Sequence, residues 1–298
     1  MAPAAPNGVV VKSPAKINLF LCVVGKLASG YHEIKSLMVP LAFCDMVKVV
    51  PMENPPSGPL IKVSCPYPGV PEDSSNLAVR AAEIFFRALG QKFSLSISIE
   101  KQIPPGAGLG GGSSNAAAVL KACNSIWKNP FPLEQLAQLG AQLGADIPFF
   151  VYGVPALASG IGDRITPVFW VKPEPVVIVF PGVSVPTAQV YKKVTLTLTT
   201  CRKIHNLPTL KNGPAPLEDL AANDLEAFAA ADFPQITEAR LLLEQSGARA
   251  ACMTGSGSAV FGLFANSRQA VQAAKHIAAL HPQWLAKATN IVAQGETP

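Results

Sequence analysis

The chain has 298 residues, of which 49% are hydrophobic and only 14% are charged, and its formal net charge is +5. This composition excludes a disordered chain, which requires low hydrophobicity and high charge. The scattered Lys and Arg residues form no run typical of nucleic-acid binding, so the sequence predicts no nucleic-acid partner.

The sequence predicts a cytoplasmic protein with no membrane span. The uncharged, apolar stretch at residues 147–162 is interrupted by prolines and glycines, so it does not supply the apolar helix of roughly 20 residues that a bilayer requires. The N-terminal residues 1–8 lack the basic and apolar regions of a secretory signal. The six cysteines form no C-x-x-C pair, which favours a reducing compartment in which most of them are buried apolar side chains.

The first half of the chain mixes predicted strands and helices. The apolar run at residues 17–24 predicts a strand. Strict alternation of apolar and polar residues at 93–100 predicts a second, half-buried strand. Between them, residues 77–88 keep helical spacing, with Ser75 as the predicted N-cap and Gly90 as the end.

Strands and helices continue to alternate along the rest of the chain. Such short alternating strands indicate antiparallel pairing as much as parallel pairing, so we expect an α+β fold rather than a doubly wound sheet. The predicted domains are 1–163 and 164–298. The other predicted elements are helices at 133–143 (ended by Gly144), 217–230, 235–246 and 268–280, strands at 176–180 and 289–293, a strand–turn–strand unit at 249–264, and a loop at 205–216.

The most informative segment is PPGAGLGGGSSNAA, residues 104–117. Its five glycines allow positive φ angles and a close approach to a ligand. Ser113 and Ser114 open an alanine-rich helix, whose free N–H groups and dipole attract anions. The segment therefore predicts a phosphate-binding loop. The alternative is a flexible turn with a capping serine, but an ordinary turn does not need so many glycines.

Three familiar phosphate loops do not fit this segment. A Walker A loop requires Lys after its last glycine, where this chain has Ser113. A dinucleotide loop requires an acidic residue at the end of the following strand, about 20 residues further on. A protein-kinase loop requires Lys and Asp signatures that are absent from the sequence.

Other polar residues stand at positions typical of ligand sites. Lys16 and Asn18 are two residues apart in a predicted strand and share a face, although a lysine beside an apolar run is usually solvated. Tyr31 and His32 can grip a planar ligand by stacking and hydrogen bonding, or simply line a turn. Asp146 precedes an apolar run that implies burial, and a buried carboxylate needs a cation or a ligand. Asp146 is therefore the best candidate for a catalytic carboxylate, with helix capping as the alternative.

Two further segments have less distinctive patterns. MTGSGSAVFG, residues 253–262, contains a second glycine-rich turn, which covers a phosphate, supports the first glycine-rich loop, or forms a tight hairpin with close backbone packing. NDLE, residues 223–226, is predicted to be a solvated face of a helix. No group of His, Cys and Asp has the spacing of a metal site, so no protein metal ligand is predicted.

Together these motifs resemble the GHMP kinases, the superfamily of galactokinase, homoserine kinase and mevalonate kinase. The glycine-rich loop alone specifies the superfamily. SPAKINLFL at 13–21, GYHEI at 30–34 and GADIPFF at 144–150 narrow the resemblance to the branch that phosphorylates 4-diphosphocytidyl-2-C-methyl-D-erythritol. The resemblance covers the chain except for the N-terminal extension and residues 196–216.

The resemblance implies a two-domain GHMP-kinase-like fold with the active site in the interdomain cleft. It implies an ATP-dependent kinase that phosphorylates the 2-hydroxyl of its substrate in the non-mevalonate route to isoprenoid precursors. Asp146 would accept the hydroxyl proton, and Lys16 would keep it ionised and offset charge on the phosphoryl group, since a nearby cation lowers the pKa of a carboxyl. ATP is the implied co-substrate, with Mg²⁺ bound through its phosphates.

The site residues that the resemblance implies form two groups. The substrate would be held by Asn18, Tyr31, His32, Asp146 and Tyr191, with His32 reading the cytosine edge and Tyr191 stacking on the ring. ATP would be held by the loop residues Pro105, Gly106, Ala107, Gly108, Leu109, Gly110, Gly111, Gly112, Ser113 and Ser114, flanked by Asn76 and Lys101. The expected partners are these small molecules, and the expected state is a monomer or weak homodimer.

Three alternatives to this function stay open at the level of sequence. Another kinase of the superfamily, such as homoserine kinase, would keep the loop but have no use for GYHEI or Tyr191. A catalytically inactive binding protein is disfavoured by the presence of both Lys16 and Asp146. An RNA-binding module is disfavoured by the absence of a basic and aromatic stripe.

Overall fold

The computed structural model describes residues 8–53, 58, 60–194 and 216–293. They form two compact units, each assembled from several stretches of chain. The first contains the residues up to Ala15, Phe43–Pro105 and Gly110–Gly153, and the second contains Lys16–Ala42, Gly106–Leu109 and the residues from Val154 onward. A single boundary at residue 163 stays a prediction.

Two long strands contribute to both units. β1 spans Val9–Lys26 and β2 spans His32–Met52, and the two are neighbours in one sheet. β1 contains the apolar run at 17–24, which confirms that strand. The sequence does not predict β2, because its residues 36–41 are buried on both faces and show no alternation.

The first unit combines strands with a group of packed helices. The second half of β2 pairs antiparallel with β4, and β4 pairs in parallel with β3. The strands and helices of this unit are β3 (Ile61–Ser64), α1 (Leu77–Leu89), β4 (Ser94–Glu100), α2 (Gly111–Ile126), α3 (Leu133–Ala141) and α4 (Ile147–Tyr152). α1 packs against α2, whose alanines are buried because small side chains allow the helices to approach closely.

The helix ends of the first unit differ slightly from those predicted. The N-cap of α1 is Asn76 rather than Ser75, and its Oδ1 accepts a hydrogen bond from Ala78 N at 2.9 Å. Gly90 ends α1 as predicted, with a φ of +68°. α3 ends at Ala141, before the predicted stop at Gly144.

The second unit contains two groups of strands. The first half of β2 pairs antiparallel with β5, β5 pairs antiparallel with β6, and β1 pairs in parallel with β8. A separate antiparallel sheet has the strand order β11–β7–β10–β9. The strands are β5 (Ala156–Ser159), β6 (Arg164–Pro167), β7 (Pro175–Phe180), β8 (Ala222–Asn223), β9 (Ala250–Met253), β10 (Val260–Leu263) and β11 (Leu285–Asn290). Mixed parallel and antiparallel pairing with separate helices fits the predicted α+β class.

Helices cover the antiparallel sheet of the second unit. Their apolar residues form one core with the sheet and with β1, including Leu21, Val179, Leu243, Phe264 and Ile277. The helices of this unit are α5 (Thr187–Lys193), α6 (Leu217–Leu220), α7 (Glu226–Asp232), α8 (Gln235–Gln245) and α9 (Ser267–Leu280). The predicted helices at 235–246 and 268–280 and the strand at 176–180 are confirmed.

Three expectations in the second half need correction or lie outside the described residues. The prediction of one helix at 217–230 is wrong, because β8 lies within this segment and separates α6 from α7. The last strand is β11, which starts and ends earlier than the predicted 289–293. Residues 205–215 of the predicted loop lie outside the described residues.

The prediction of a solvated NDLE segment is wrong. Asn223 belongs to β8, and the side chain of Asp224 is buried. The Asp224 Oδ2 atom accepts a hydrogen bond from Val23 N at 2.8 Å, and Asp224 N donates to Leu21 O at 2.9 Å. The polar side chains therefore satisfy backbone groups of the fold instead of facing water.

The cysteines of the described residues are mostly buried thiols, as predicted. Cys65, Cys123 and Cys252 are buried and free, and Cys44 is free and half-buried. Burial raises the pKa of Cys44 to about 11. The Cys22 side chain is also buried, with 1% of its surface exposed. No helix within the described ranges has both the length and the apolar character needed to cross a membrane.

A buried ion pair supports the first unit. The Lys101 and Asp45 side chains are 3% and 0% exposed, and their Nζ and Oδ2 atoms lie 2.6 Å apart. Asp45 also accepts hydrogen bonds from Gln102 N, Ile103 N and Asn115 Nδ2. One carboxylate thus joins the end of β4 to the first turns of α2.

We predict that Asp45→Ala lowers the free energy of unfolding by about 3–5 kcal/mol, because it leaves a buried ammonium without its carboxylate. Chemical denaturation monitored by circular dichroism measures this change. The matched control is Asp232→Ala, which removes an ion pair with Lys193 whose two side chains are each 45% exposed; it is expected to cost at most about 1 kcal/mol. Equal losses in the two variants would contradict the structural role of Asp45.

Candidate functional site

The glycine-rich loop leads from β4 into α2, as predicted. Gly106, Gly108 and Gly110 have φ angles of +69°, +81° and +71°, which residues with side chains rarely adopt. Gly110 is the N-cap of α2 and makes no side-chain cap bond. No capping side chain therefore covers the first N–H groups of α2, an arrangement that suits a bound anion.

Within the second unit, the loop residues 106–109 pack against the turn Thr254–Ser258, called here the GSG turn. A Cβ built on Gly108 would lie 2.5 Å from Thr254 O and 3.0 Å from Gly257 O. Ala259 N donates to Ala107 O at 3.0 Å. The GSG turn thus supports the loop by close backbone packing, which was one of the roles predicted for it.

The loop presents its backbone rather than its side chains. The Ala107 and Leu109 side chains are each 1% exposed, so they belong to the interior. Pro105 and Gly106 are exposed. A ligand at this segment therefore meets mainly amide and carbonyl groups, which is typical of phosphate loops.

Lys16 lies beside this loop segment. Its side chain is 4% exposed, its Nζ donates to Asn18 Oδ1 at 2.6 Å, and its backbone N donates to Leu109 O at 3.0 Å. A Cβ built on Gly255 would lie 3.4 Å from the Lys16 Nζ atom. Lys16 and Asn18 share a face as predicted, and the charge is buried instead of solvated.

Asn18 links Lys16 to both neighbouring segments. Its backbone N donates to Thr254 Oγ1 at 2.9 Å, and its Nδ2 donates to Ser36 Oγ at 2.7 Å. Ser36 in turn donates to Phe20 O at 2.6 Å. The Lys16 ammonium is thus oriented by a chain of hydrogen bonds that ends on the backbone of β1.

In the first unit, the start of α2 is flanked by the two residues that the resemblance placed beside the nucleotide. A Cβ built on Gly111 would lie 2.9 Å from Lys101 Nζ, and one on Gly112 would lie 3.8 Å from Leu77 Cδ1, next to Asn76. The ammonium of Lys101 is held by Asp45. The amide of Asn76 caps α1 and donates to a backbone carbonyl.

The two serines of the loop differ in their environment. Ser113 is half-buried. Ser114 is buried, and its Oγ accepts a hydrogen bond from Ser13 Oγ at 2.8 Å. Ser13 also accepts from Asn115 Nδ2 at 2.8 Å. The Ser114 side chain therefore faces the interior of the first unit, and its backbone N donates to Gly110 O at 2.9 Å.

Asp146 lies in the first unit, directly before α4. It is half-buried rather than buried, whereas Ile147, Phe149 and Phe150 are at most 1% exposed. The expectation of full burial is therefore wrong, because α4 turns the apolar residues inward and leaves Asp146 at its start. The side chain makes no capping bond to α4, so helix capping does not explain it.

The aromatic residues of the second unit form a separate group. The His32 and Tyr191 rings lie with centroids 5.3 Å apart and planes tilted by 32°, whereas Tyr31 is 65% exposed. Burial, followed by the positive charge of Lys26, lowers the pKa of His32 from 6.5. The imidazole is therefore neutral at pH 7 and can donate with one ring nitrogen and accept with the other.

Sequence reasoning missed several residues that shape this region. Thr254, Ser36 and Asp45 are small or polar residues in segments whose local pattern does not reveal their partners. Asn223 was assigned to a solvated helix face. The NDLE motif that contains it was the available signal. No group of three or more His, Cys, Asp or Glu side chains in the described part of the chain is arranged to hold a metal ion.

Two family profiles match the chain. Residues 76–154 match the GHMP kinases N terminal domain, and residues 207–283 match the GHMP kinases C terminal domain. The first match includes the start of α2 and Asp146. The second includes the GSG turn.

Relatives of known name match nearly the whole chain. The 4-diphosphocytidyl-2-C-methyl-D-erythritol kinase of Citrifermentans bemidjiense is 40% identical over 280 residues, which cover 94% of this chain and 98% of the relative. The enzyme of the same name from Geobacter sp. strain M21 is 42% identical over 265 residues, which cover 89% and 92%.

Solved structures agree with this relationship. A crystal structure of 4-(cytidine 5'-diphospho)-2C-methyl-D-erythritol kinase has 36% identity and a TM-score of 0.79, covering 95% of this chain and 100% of that one. Homoserine kinase from Cytophaga hutchinsonii has a TM-score of 0.75 but 16% identity, covering 96% and 95%, and shares the fold alone. The chain belongs to the 4-diphosphocytidyl-2-C-methyl-D-erythritol kinase family of the GHMP kinases.

Proposed function

We propose that this chain transfers the γ-phosphoryl group of ATP to the 2-hydroxyl of 4-diphosphocytidyl-2-C-methyl-D-erythritol. The observation that carries the proposal is the buried ammonium of Lys16, held beside the phosphate-loop segment 106–109. Phosphoryl transfer depends mainly on positioning and on stabilising negative charge. A fixed ammonium next to a glycine backbone supplies both.

The proposed reaction assigns separate roles to Asp146 and Lys16. The substrate hydroxyl oxygen forms a bond to the γ-phosphorus while the bond from that phosphorus to the bridging oxygen of ADP breaks. Asp146 accepts the hydroxyl proton, and Lys16 offsets the negative charge on the transferring group. Mg²⁺ would be held by ATP rather than by a protein side chain, and it would neutralise part of the phosphate charge.

The loop is proposed to hold the triphosphate through its backbone. Residues Gly106–Ser113 supply backbone N–H groups between Pro105 and Ser114, and the start of α2 supplies the positive end of a helix dipole. Lys101 and Asn76 flank that start, so we propose that they border the nucleotide. The tight fit of Gly108 against the GSG turn keeps the backbone where a phosphate can approach it.

Recognition of the cytidine part is proposed to depend on His32 and Tyr191. A neutral imidazole matches the mixed donors and acceptors of the cytosine edge, and the Tyr191 ring offers a stacking face. Asn18 and the exposed Tyr31 are proposed to contact the same substrate. The neighbouring rings of His32 and Tyr191 support this assignment.

We also propose the setting in which the enzyme works. It acts on small molecules in the cytoplasm, as a monomer or weak homodimer, without nucleic acid or membrane partners. Residues 1–163 would supply most of the ATP site and residues 164–298 would contribute to the substrate site. Composition, chain pattern and family resemblance support these assignments.

The direct test is an assay of the purified protein with Mg·ATP and saturating 4-diphosphocytidyl-2-C-methyl-D-erythritol, with ADP release and product mass as readouts. Turnover of this acceptor, and not of homoserine or mevalonate, is expected. Absence of turnover with the cytidine substrate, or a preference for homoserine, would overturn the proposal.

We predict that Asp146→Asn lowers kcat about 100-fold or more, because an amide cannot accept the hydroxyl proton. Lys16→Met is expected to have a comparable effect through lost charge stabilisation. Steady-state kinetics with both substrates measures these changes. The control is Asp232→Asn at an exposed carboxylate, and turnover of Asp146→Asn at the wild-type rate would refute the assignment of the base.

We predict that Gly108→Ala abolishes measurable ATP binding or raises KM for ATP by about 100-fold, because the new methyl group displaces the loop by a fraction of an ångström or more. The control is Gly90→Ala, since Gly90 has a similar φ of +68° but nothing within 4 Å of a built Cβ. It therefore shares the backbone strain without the collision. Calorimetric titration of ATP distinguishes the two, and equal ATP affinities would contradict the prediction.

The lowered pKa of His32 predicts a pH dependence of substrate binding. KM for the cytidine substrate should stay constant above pH 6.5 and rise as the pH falls through the lowered pKa of His32, because protonation removes the acceptor nitrogen. His32→Gln keeps a donor and an acceptor without titrating, so its KM should be independent of this step. Profiles of KM against pH for the wild type and His32→Gln, measured in the same buffers, cancel the effect of substrate ionisation. The same pH dependence of KM in both proteins would contradict the role of His32.

A further inference from the structure

The side-chain amide of Asn223 in the second unit makes three hydrogen bonds, and its two donors bind the GSG turn and the residue before it. Its Nδ2 donates to Met253 O at 2.7 Å and to Gly255 O at 2.8 Å. Its Oδ1 accepts from Leu225 N at 2.9 Å. Both N–H donors therefore hold carbonyl groups on either side of Thr254.

The backbone of Asn223 is fixed by the strand that carries Lys16. Ala222 and Asn223 pair in parallel with Phe20 and Leu21 of β1. Asp224 N adds a hydrogen bond to Leu21 O. Because the backbone of Asn223 is held by β1, the two N–H donors of its side chain have a defined direction.

The opposite side of the GSG turn meets the proposed catalytic groups. Thr254 Oγ1 accepts from Asn18 N, and Asn18 Oδ1 in turn accepts from Lys16 Nζ. A Cβ built on Gly255 would lie 3.1 Å from Gly108 O and 3.4 Å from Lys16 Nζ. A small outward shift of Gly255 would therefore loosen the packing around the ammonium.

We propose that Asn223 is a positioning residue for phosphoryl transfer, which holds the GSG turn against Lys16 and the phosphate loop. The inference rests on the proposed function, since it acts through Lys16. The residue type is specific, because two carbonyl groups must each receive a donor from one side chain. An aspartate would place an oxygen against Met253 O and Gly255 O, and a leucine would leave both carbonyls unpaired.

A second tether makes the loss of Asn223 a shift of the turn rather than its collapse. Glu226 Oε2 accepts a hydrogen bond from Met253 N at 2.8 Å, and Thr254 N donates to Ala259 O at 2.9 Å. These bonds keep β9 and β10 joined without Asn223. The variant is therefore expected to fold with the turn displaced at Gly255.

The test compares Asn223→Leu and Asn223→Asp with the wild-type enzyme in steady-state kinetics and thermal unfolding. We expect kcat to fall about 10- to 100-fold, as for a catalytic group displaced by a fraction of an ångström, and KM for both substrates to change by at most about twofold. Asn223→Ser, which keeps one donor, should recover part of kcat. If Asn223→Leu does not fold, the aspartate and serine variants carry the same comparison.

Two controls separate positioning from general stability. Asn266→Ala removes the N-cap of α9, where Asn266 Oδ1 accepts from Gln269 N at 3.0 Å, and should lower stability without lowering kcat. In a Lys16→Met background, replacing Asn223 should change kcat by less than about twofold, because its effect runs through Lys16.

The outcomes distinguish this inference from the proposed function. The positioning role would be overturned if the Asn223 variants kept the wild-type kcat. It would also be overturned if replacing Asn223 lowered kcat by the same factor in the wild-type and Lys16→Met backgrounds. Either result would leave the kinase activity in place. Wild-type kcat in Lys16→Met would instead overturn the role proposed for Lys16. A loss of kcat in Asn266→Ala equal to that in Asn223→Leu would show that lowered stability alone explains the effect.

Discussion

The ammonium of Lys16 is buried in the second unit, and the need to satisfy that charge shapes the structure around it. A buried ammonium is costly unless acceptors surround it in fixed geometry. The acceptor amide of Asn18 is held by Ser36 and by the backbone bond to Thr254. The position of the charge therefore depends on strand pairing rather than on a flexible side chain. An ammonium oriented in advance needs little reorganisation when negative charge develops nearby.

Glycines allow the loop segment 106–109, which lies beside Lys16, to present mainly backbone groups. Gly108 has no room for a side chain because the GSG turn lies against it. Closely packed backbone amides of this kind suit an anion without many cationic side chains. The net charge of +5 was therefore a poor guide to the ligand. A single lysine in a fixed position supplies a stronger local field than a scattered surplus of charge.

Local patterns predicted the parts of the molecule that depend on neighbours in sequence. The glycine-rich loop, the shared face of Lys16 and Asn18, and the end of α1 at Gly90 all follow from short-range geometry. The separate roles given to His32 and Tyr191 at the cytosine came from family resemblance, because no local pattern joins residues so far apart. Site roles such as that of Asp146 stay predictions.

Each error of the sequence analysis has a physical origin. β2 was missed because strands buried on both faces do not alternate. The NDLE segment was assigned to a helix because its polar residues resemble a solvated face, whereas Asn223 and Asp224 bind backbone groups distant in sequence. Asp146 was expected to share the burial of its neighbours, but a residue that precedes a helix does not share the face of the residues within it.

The parallel pairing of β1 with β8 sets an order on the biogenesis of the protein. Val23 and Asp224 are separated by 201 residues, and synthesis at about 5–20 residues per second leaves roughly 10–40 s between them. During that interval the apolar edge of β1 has no partner from β8 on the nascent chain. The pairing of β1 with β8 therefore cannot form on the nascent chain before residues 222–224 have been synthesised.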